Sequence, residues 1–269
     1  MLNLVVASGY ASIAYIFYNS GDYQGAIENY SQAISLNPDD YISYFSRGIA
    51  HLMTKNYENA IADLTETIRL NPHYGEAYAE RGVARAAVGD HQNAIEDCNR
   101  GIQLNPQYVR SYFGRGAARF YSGNYPGALE DFSMVASLEP SATADYNLGI
   151  YYYSQGTNSQ AIKYLTQALY VNHNFIAAYY VRGNACYDLG DERGAFADFK
   201  EAKQIETAVA EKIDFDDEFA LYARGLAYYR LGNPEIAIAD LQSSAKVALQ
   251  HQNMAFHQKV VDLTRDIQS

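Results

Sequence analysis

The chain has 269 residues, ordinary hydrophobic content and a net charge of −11. That acidity argues against a nucleic-acid partner, which requires a basic surface, and disfavours anionic membranes. Cys98 and Cys186, its two cysteines, read as reduced core thiols and not as a disulfide.

Met1 to Tyr18 carries no charged side chain. As a secretory signal it lacks a basic start, and Gly9-Tyr10 interrupts its apolar run. As a first helix it fits, with Tyr10, Ile13, Ala14 and Phe17 at packing positions. Leu2, Leu4, Val5 and Val6 precede any capping element and are expected to be exposed. They form a candidate surface for docking or self-association.

The next stretch, residues 41–74, is the pattern that the chain keeps rewriting. Tyr44, Gly48 and His51 lie three to four residues apart, on one face of a helix. Asn56-Tyr57 breaks that helix. Ala60, Leu64 and Ile68 are in phase on a second one, which Asn71-Pro72 stops. Such a hairpin cannot bury its apolar faces alone, whereas stacked copies can. Pro38, Pro72, Pro106 and Pro140 recur at intervals of 34, as do Gly48, Gly82 and Gly116. Gly149 follows one residue early, Gly183 falls 34 later, and Gly225 comes 42 after that. Ala26, Ala60, Ala94, Ala128, Ala161, Ala195 and Ala237 keep step, each twelve residues after the glycine position. Small residues recur where two helix backbones must approach closely.

The order of aromatic, Gly or Ala, aromatic, Gly-Asp/Asn-Tyr, Ala, bulky residue, Ala and Asn-Pro resembles the tetratricopeptide repeat family. The departures are the absence of Trp, Asp145 and Leu221 at the first aromatic position, and His173 and Thr207 in place of the closing proline. The resemblance implies an all-α, right-handed superhelical solenoid of seven helix hairpins plus a C-terminal capping helix. One domain is expected over 1–269, with repeats near 7–40, 41–74, 75–108, 109–141, 142–175, 176–217 and 218–251. The sixth repeat contains an acidic insertion near 206–217, with Asp214, Asp216 and Asp217. Its spacing does not match a calcium-binding EF-hand loop, so it reads as a solvated connection. Phe256, Val260, Leu263 and Ile267 then make an apolar stripe opposite Lys259, Asp262 and Arg265, which reads as a capping helix over about 252–268, ahead of a stripe that binds a partner helix.

Arg47, Arg81, Arg115, Arg182 and Arg224 each precede a repeat glycine, and sixteen residues after each stands Asp63, Asp97, Asp131, Asp198 or Asp240. The two repeats without the arginine, at Ile13 and Leu148, have Asn29 and Tyr164 in place of the aspartate. Charge and countercharge vanish together, which predicts a structural ion pair between the two helices of a repeat.

A different side of each first helix carries residues three before and four after the glycine, near +50° at 100° per residue. From the fourth repeat onward both are aromatic: Phe113/Phe120, Tyr146/Tyr153, Tyr180/Tyr187 and Tyr222/Tyr229. Earlier members include Tyr18 and Phe45, and neighbouring positions are Tyr15, Ile49, Arg110, Asn147, Asn184 and Arg230. The resemblance implies that these positions line a concave groove for a partner's peptide, while the rings could equally stack between first helices as core. The family's Lys/Asn/Arg clamp for acidic chaperone tails is absent. Asn147 fits one member, but Phe113, Ala117, Ala177 and Val181 stand where the others belong.

The six histidines are scattered without metal-ligand spacing, and no phosphate loop, nucleophile elbow or HExxH occurs. The expectation is therefore no enzyme, no cofactor, no metal and no small-molecule substrate. The chain is expected to be a cytoplasmic scaffold or adaptor that takes an apolar or aromatic segment of a protein or peptide partner. The alternatives are a subunit that self-associates through its N-terminal end, or a membrane-tethered or exported assembly factor anchored there.

Overall fold

A computed structural model describes residues 2–208 and 217–268. Among the described residues there are fifteen α-helices and no strand. They fall into two compact units, Met1–Asn124 and Tyr125–Ser269. The N-terminal unit holds α1 (Leu2–Asn19), α2 (Tyr23–Leu36), α3 (Tyr41–Met53), α4 (Tyr57–Leu70), α5 (Gly75–Ala87), α6 (His91–Leu104) and α7 (Val109–Tyr121). The C-terminal unit holds α8 (Tyr125–Leu138), α9 (Ala142–Ser154), α10 (Asn158–Val171), α11 (Ile176–Asp188), α12 (Glu192–Ala208), α13 (Glu218–Arg230), α14 (Pro234–Gln250) and α15 (Met254–Gln268).

The all-α class and the helix-hairpin periodicity are observed. Within the N-terminal unit α1 packs on α2, α3 on α4 and α5 on α6, and each second helix also touches the next first helix. In the C-terminal unit α9 packs on α10, α11 on α12 and α13 on α14, with α15 against α14. First helices meet one another as well, α5 with α7 and α11 with α13. Within each unit the hairpins thus share their apolar faces with neighbours, the arrangement that repeats too small to fold alone require.

Local chemistry sets the helix ends. Asp22, Asn56 and Asp191 accept bonds from the backbone N–H three residues on, at 2.9, 3.4 and 2.9 Å, and so start the second helices. The turn before α4 passes through Lys55 at φ 58°, where other hairpins use glycine, such as Gly21 at 84° and Gly190 at 85°. Helix α10 ends without a closing proline, because the His173 ring nitrogen Nδ1 sits 2.7 Å from the Leu169 carbonyl. The helices of a hairpin approach closely at Gly82, Gly149 and Gly183; at Gly183 a Cβ would lie 2.5 Å from the buried Phe199 ring.

Val260 of α15 is fully buried with Leu241 and Tyr222, and the Phe256 ring lies 4.3 Å from that of Phe219. This helix covers the last hairpin. Helix α1 is different: Leu4, Val5, Val6, Ile13 and Ile16 are all exposed. It also starts earlier than the expected repeat boundary near residue 7, at Leu2. Helix α12 is 17 residues long and carries the sixth repeat into the expected insertion. Asp214 and Asp216 lie outside the described residues, while Asp217 caps α13 by accepting the Phe219 N–H at 2.9 Å. Cys98 and Cys186 are buried free thiols. No described helix is long and apolar enough to cross a membrane.

Candidate functional site: the first-helix faces

The arginine side of the first helices is occupied internally. Arg47 donates from Nε and Nη2 to the two carboxylate oxygens of Asp63 at 2.8 and 2.7 Å. Arg81 meets Asp97 (2.8 and 2.7 Å), Arg182 meets Asp198 (2.8 and 2.6 Å) and Arg224 meets Asp240 (2.8 and 2.7 Å) in the same fork. These bonds hold the Arg47 and Arg182 guanidinium groups above their ordinary pKa. The fifth predicted pair, Arg115 with Asp131, has one member in each unit.

The third guanidinium nitrogen has a use that the spacing did not suggest. Nη1 of Arg47 donates to Ser31 Oγ at 2.9 Å, that of Arg81 to Thr65 Oγ1 at 3.1 Å, and that of Arg115 to Asn99 Oδ1 at 2.6 Å. In the C-terminal unit Arg182 reaches Thr166 Oγ1 at 3.2 Å. All four acceptors lie sixteen residues before the arginine, on the second helix of the preceding repeat. Arg47, Arg81 and Arg182 therefore each close their own hairpin and tie it to the one before.

The aromatic side divides into packed and open members. In the N-terminal unit Tyr15 is 61% exposed, while Tyr18, Phe45, Ile49 and Phe113 are half-buried and Phe120 is buried. The Phe45 ring stands edge-on to that of Tyr74 at 4.8 Å. Arg110 is committed to Glu80, a buried carboxylate that accepts from Arg110 Nη2 at 2.6 Å and from the Tyr108 hydroxyl at 2.6 Å. Burial alone would lower the pKa of Arg110, but the bonds to Glu80 hold it above the ordinary value.

In the C-terminal unit Tyr146, Tyr180 and Tyr222 are buried, as is Asn184. Contrary to the expectation from the sequence, these four do not offer peptide contacts, because a side chain with almost no accessible surface cannot meet a partner in this conformation. The rings stack as core, and two of their hydroxyls find carboxylates of the chain itself. Tyr146 donates to Asp217 and Tyr180 to Glu206, each at 2.9 Å. Asn184 donates to the Tyr180 and Ala223 carbonyls at 2.9 and 2.7 Å.

Two turns further along the helices the picture changes. Tyr153 and Tyr187 are half-buried and Tyr229 is 48% exposed. The Arg230 guanidinium lies 4.2 Å above the Tyr187 ring and donates to Asn184 Oδ1 at 2.7 Å and Asp188 Oδ1 at 2.5 Å. Asp188 also accepts from the Tyr153 hydroxyl at 3.2 Å. Lys259 of α15 places its ammonium 5.2 Å from the Tyr222 ring, where burial lowers its pKa against the pull of Asp188. Half-buried Asn147 has an amide nitrogen, Nδ2, that is buried and has no hydrogen-bond partner among the described residues.

Local spacing did not point to roles for Glu80, Asp188 and Glu206, and it set Lys259 only on the outer side of the capping helix. Glu80 was the most legible of these. It is the one charged residue at a first-helix position that holds Ser46, Gly114, Asn147, Val181 and Ala223 elsewhere, and Arg110 stands thirty residues on. Among the described residues no group of three His, Cys, Asp or Glu side chains is arranged to hold a metal.

Three repeat models match the chain: a TPR repeat at residues 14–55, and tetratricopeptide repeats at 56–109 with 113–175 and at 219–246. No curated protein matches it. Among solved structures, a tetratricopeptide repeat protein from Parabacteroides merdae ATCC 43184 is 17% identical, with a TM-score of 0.66, over 96% of this chain and 98% of that one. MamA (41-end) from Desulfovibrio magneticus RS-1 is 22% identical, with a TM-score of 0.56, over 64% and 97%. PilW, a type IV pilus biogenesis factor, is 13% identical, with a TM-score of 0.68, over 77% and 95%. At these identities the likeness is one of fold.

Proposed function

The chain belongs to the tetratricopeptide repeat family, and on that premise we propose that it is a protein-interaction scaffold that binds an apolar or aromatic polypeptide segment along its first-helix faces. The supporting observation is which groups on those faces are left over. Arg110 is held by Glu80, and Arg230 by Asn184 and Asp188, so the fixed charges already have partners within the chain. What remains open in the C-terminal unit is Tyr229 and the edges of Tyr153 and Tyr187, with half-buried Asn147 beside them. Rings favour apolar side chains. In the N-terminal unit Tyr15, Tyr18, Phe45 and Ile49 offer a comparable surface. A preformed helical face binds with little ordering cost of its own.

The test is selection from a random peptide library on the wild-type protein, followed by affinity measurement on Tyr229→Ala and Asn147→Ala. Both positions reach solvent, so the fold should survive. Selected peptides should be rich in aromatic and aliphatic residues, and Tyr229→Ala should weaken them by about tenfold, the effect of losing one good aromatic contact. Selection of acidic tails, or binding indifferent to both substitutions, would refute the reading.

A further inference from the structure

The chain supplies its own controls for the exposed face of α1. Five residues before each repeat glycine stands a small side chain: Ser43 at 1% exposure, Ala77 at 0%, Ser111 at 0%, Ala144 at 2%, Ala178 at 0% and Ala220 at 1%. This position faces the preceding repeat, as Ser111 shows: its Oγ would lie 2.9 Å from a Cβ added to Gly101 of α6. The equivalent residue of α1 is Gly9, which is exposed, and a Cβ built there would meet nothing within 4 Å. At 100° per residue Val5, Val6, Ser12, Ile13 and Ile16 all fall within about 60° of Gly9, and every one is exposed. The buried residues Ala7 and Ala14 are on the opposite side.

Two further observations bear on the kind of surface that fits this face. Ile13 occupies the arginine position, from which four other repeats reach back to a polar residue sixteen earlier. The other exception, Leu148, has Phe132 at that earlier position, so an apolar residue here goes with an apolar counterpart. Ile13 thus calls for an apolar surface. The second observation is charge. Among the described helices α1 alone carries no charged side chain, on a chain of net charge −11 whose copies repel one another elsewhere. The outward side of α15 cannot serve as the cover, because Lys259, Arg265 and Asp266 are exposed on it.

We infer that two copies of this chain pair through α1, antiparallel about a two-fold axis at Gly9. The axis sets Val5 of one copy opposite Ile13 of the other, and Gly9 lets the two backbones approach at the crossing.

Sedimentation equilibrium of the full chain should give twice the 30.0 kDa of one copy. Val5→Asp with Ile13→Asp sets carboxylates against each other and should raise the dissociation constant by about a hundredfold. Both sites are exposed, so circular dichroism should be unchanged. Gly9→Cys should form a covalent dimer under mild oxidation, whereas Ser20→Cys, far from the axis, should not. A wild-type monomer, a dimer that survives the paired aspartates, or a monomer that floats with phosphatidylcholine vesicles would each overturn the inference, the last in favour of a lipid surface.

Discussion

Arg182 shows how much one side chain does in this fold. Its fork on Asp198 closes the sixth hairpin while its remaining nitrogen holds Thr166 of the fifth. Removing only the arginine leaves a carboxylate that is almost out of solvent, so Arg182→Leu should cost about 2 kcal/mol, between the values for surface and buried pairs. The double change Arg182→Leu with Asp198→Leu should cost less than the two single changes summed. Urea unfolding of all four proteins measures this, and strict additivity would contradict the pairing. At this scale the sequence was informative about charges, because an arginine and its aspartate appear or vanish together. It was less so about rings. The position of Tyr180 is the same as that of Phe45 in the repeat, but one is 1% exposed and the other half-buried. Burial there depends on neighbours such as Phe199 and Tyr228, with centroids 6.5 Å away, and Glu206, which lie beyond the reach of local spacing.

The helices themselves were legible because Gly, Ala and Pro mark a fixed period, and because backbone contact at a position such as Gly183 admits nothing larger. The turns carry a testable irregularity. Lys55 holds φ at 58°, a left-handed conformation that costs an L-residue about 1–2 kcal/mol, whereas glycine adopts it freely. Lys55→Gly should therefore stabilise the protein. The gain should be about 0.5–1 kcal/mol once the greater freedom of glycine in the unfolded chain is included. A lower urea midpoint for the variant would show that the lysine side chain contributes more than its backbone strain costs. The one element the pattern misplaced at its start is α1, whose first turn extends beyond the repeat register.

Taken over the whole chain, a few buried tyrosines make stability sensitive to alkali. Burial raises the pKa of Tyr108, Tyr153 and Tyr180 above the ordinary value and pushes Tyr222 up to about 12. An acid whose folded pKa is raised stabilises the fold fully below its unfolded pKa near 10, and that contribution is lost as pH rises through the folded value. Between pH 10 and 12 each such tyrosine should remove about 1.4 kcal/mol per pH unit. Urea midpoints measured across that window should fall steeply, and less steeply for Tyr222→Phe. A flat profile would mean that the hydroxyls are not held neutral by the fold. Repeat number and family were legible because they rest on periodicity, whereas the division into two compact units left no mark in it. One seam between repeats stands apart from the rest. Where other repeats are tied by guanidinium bonds, α8 meets α9 with Phe132 and Leu148 buried. Apolar attraction fades on cooling while ion pairs do not share that loss. Cold should therefore loosen this seam ahead of the others.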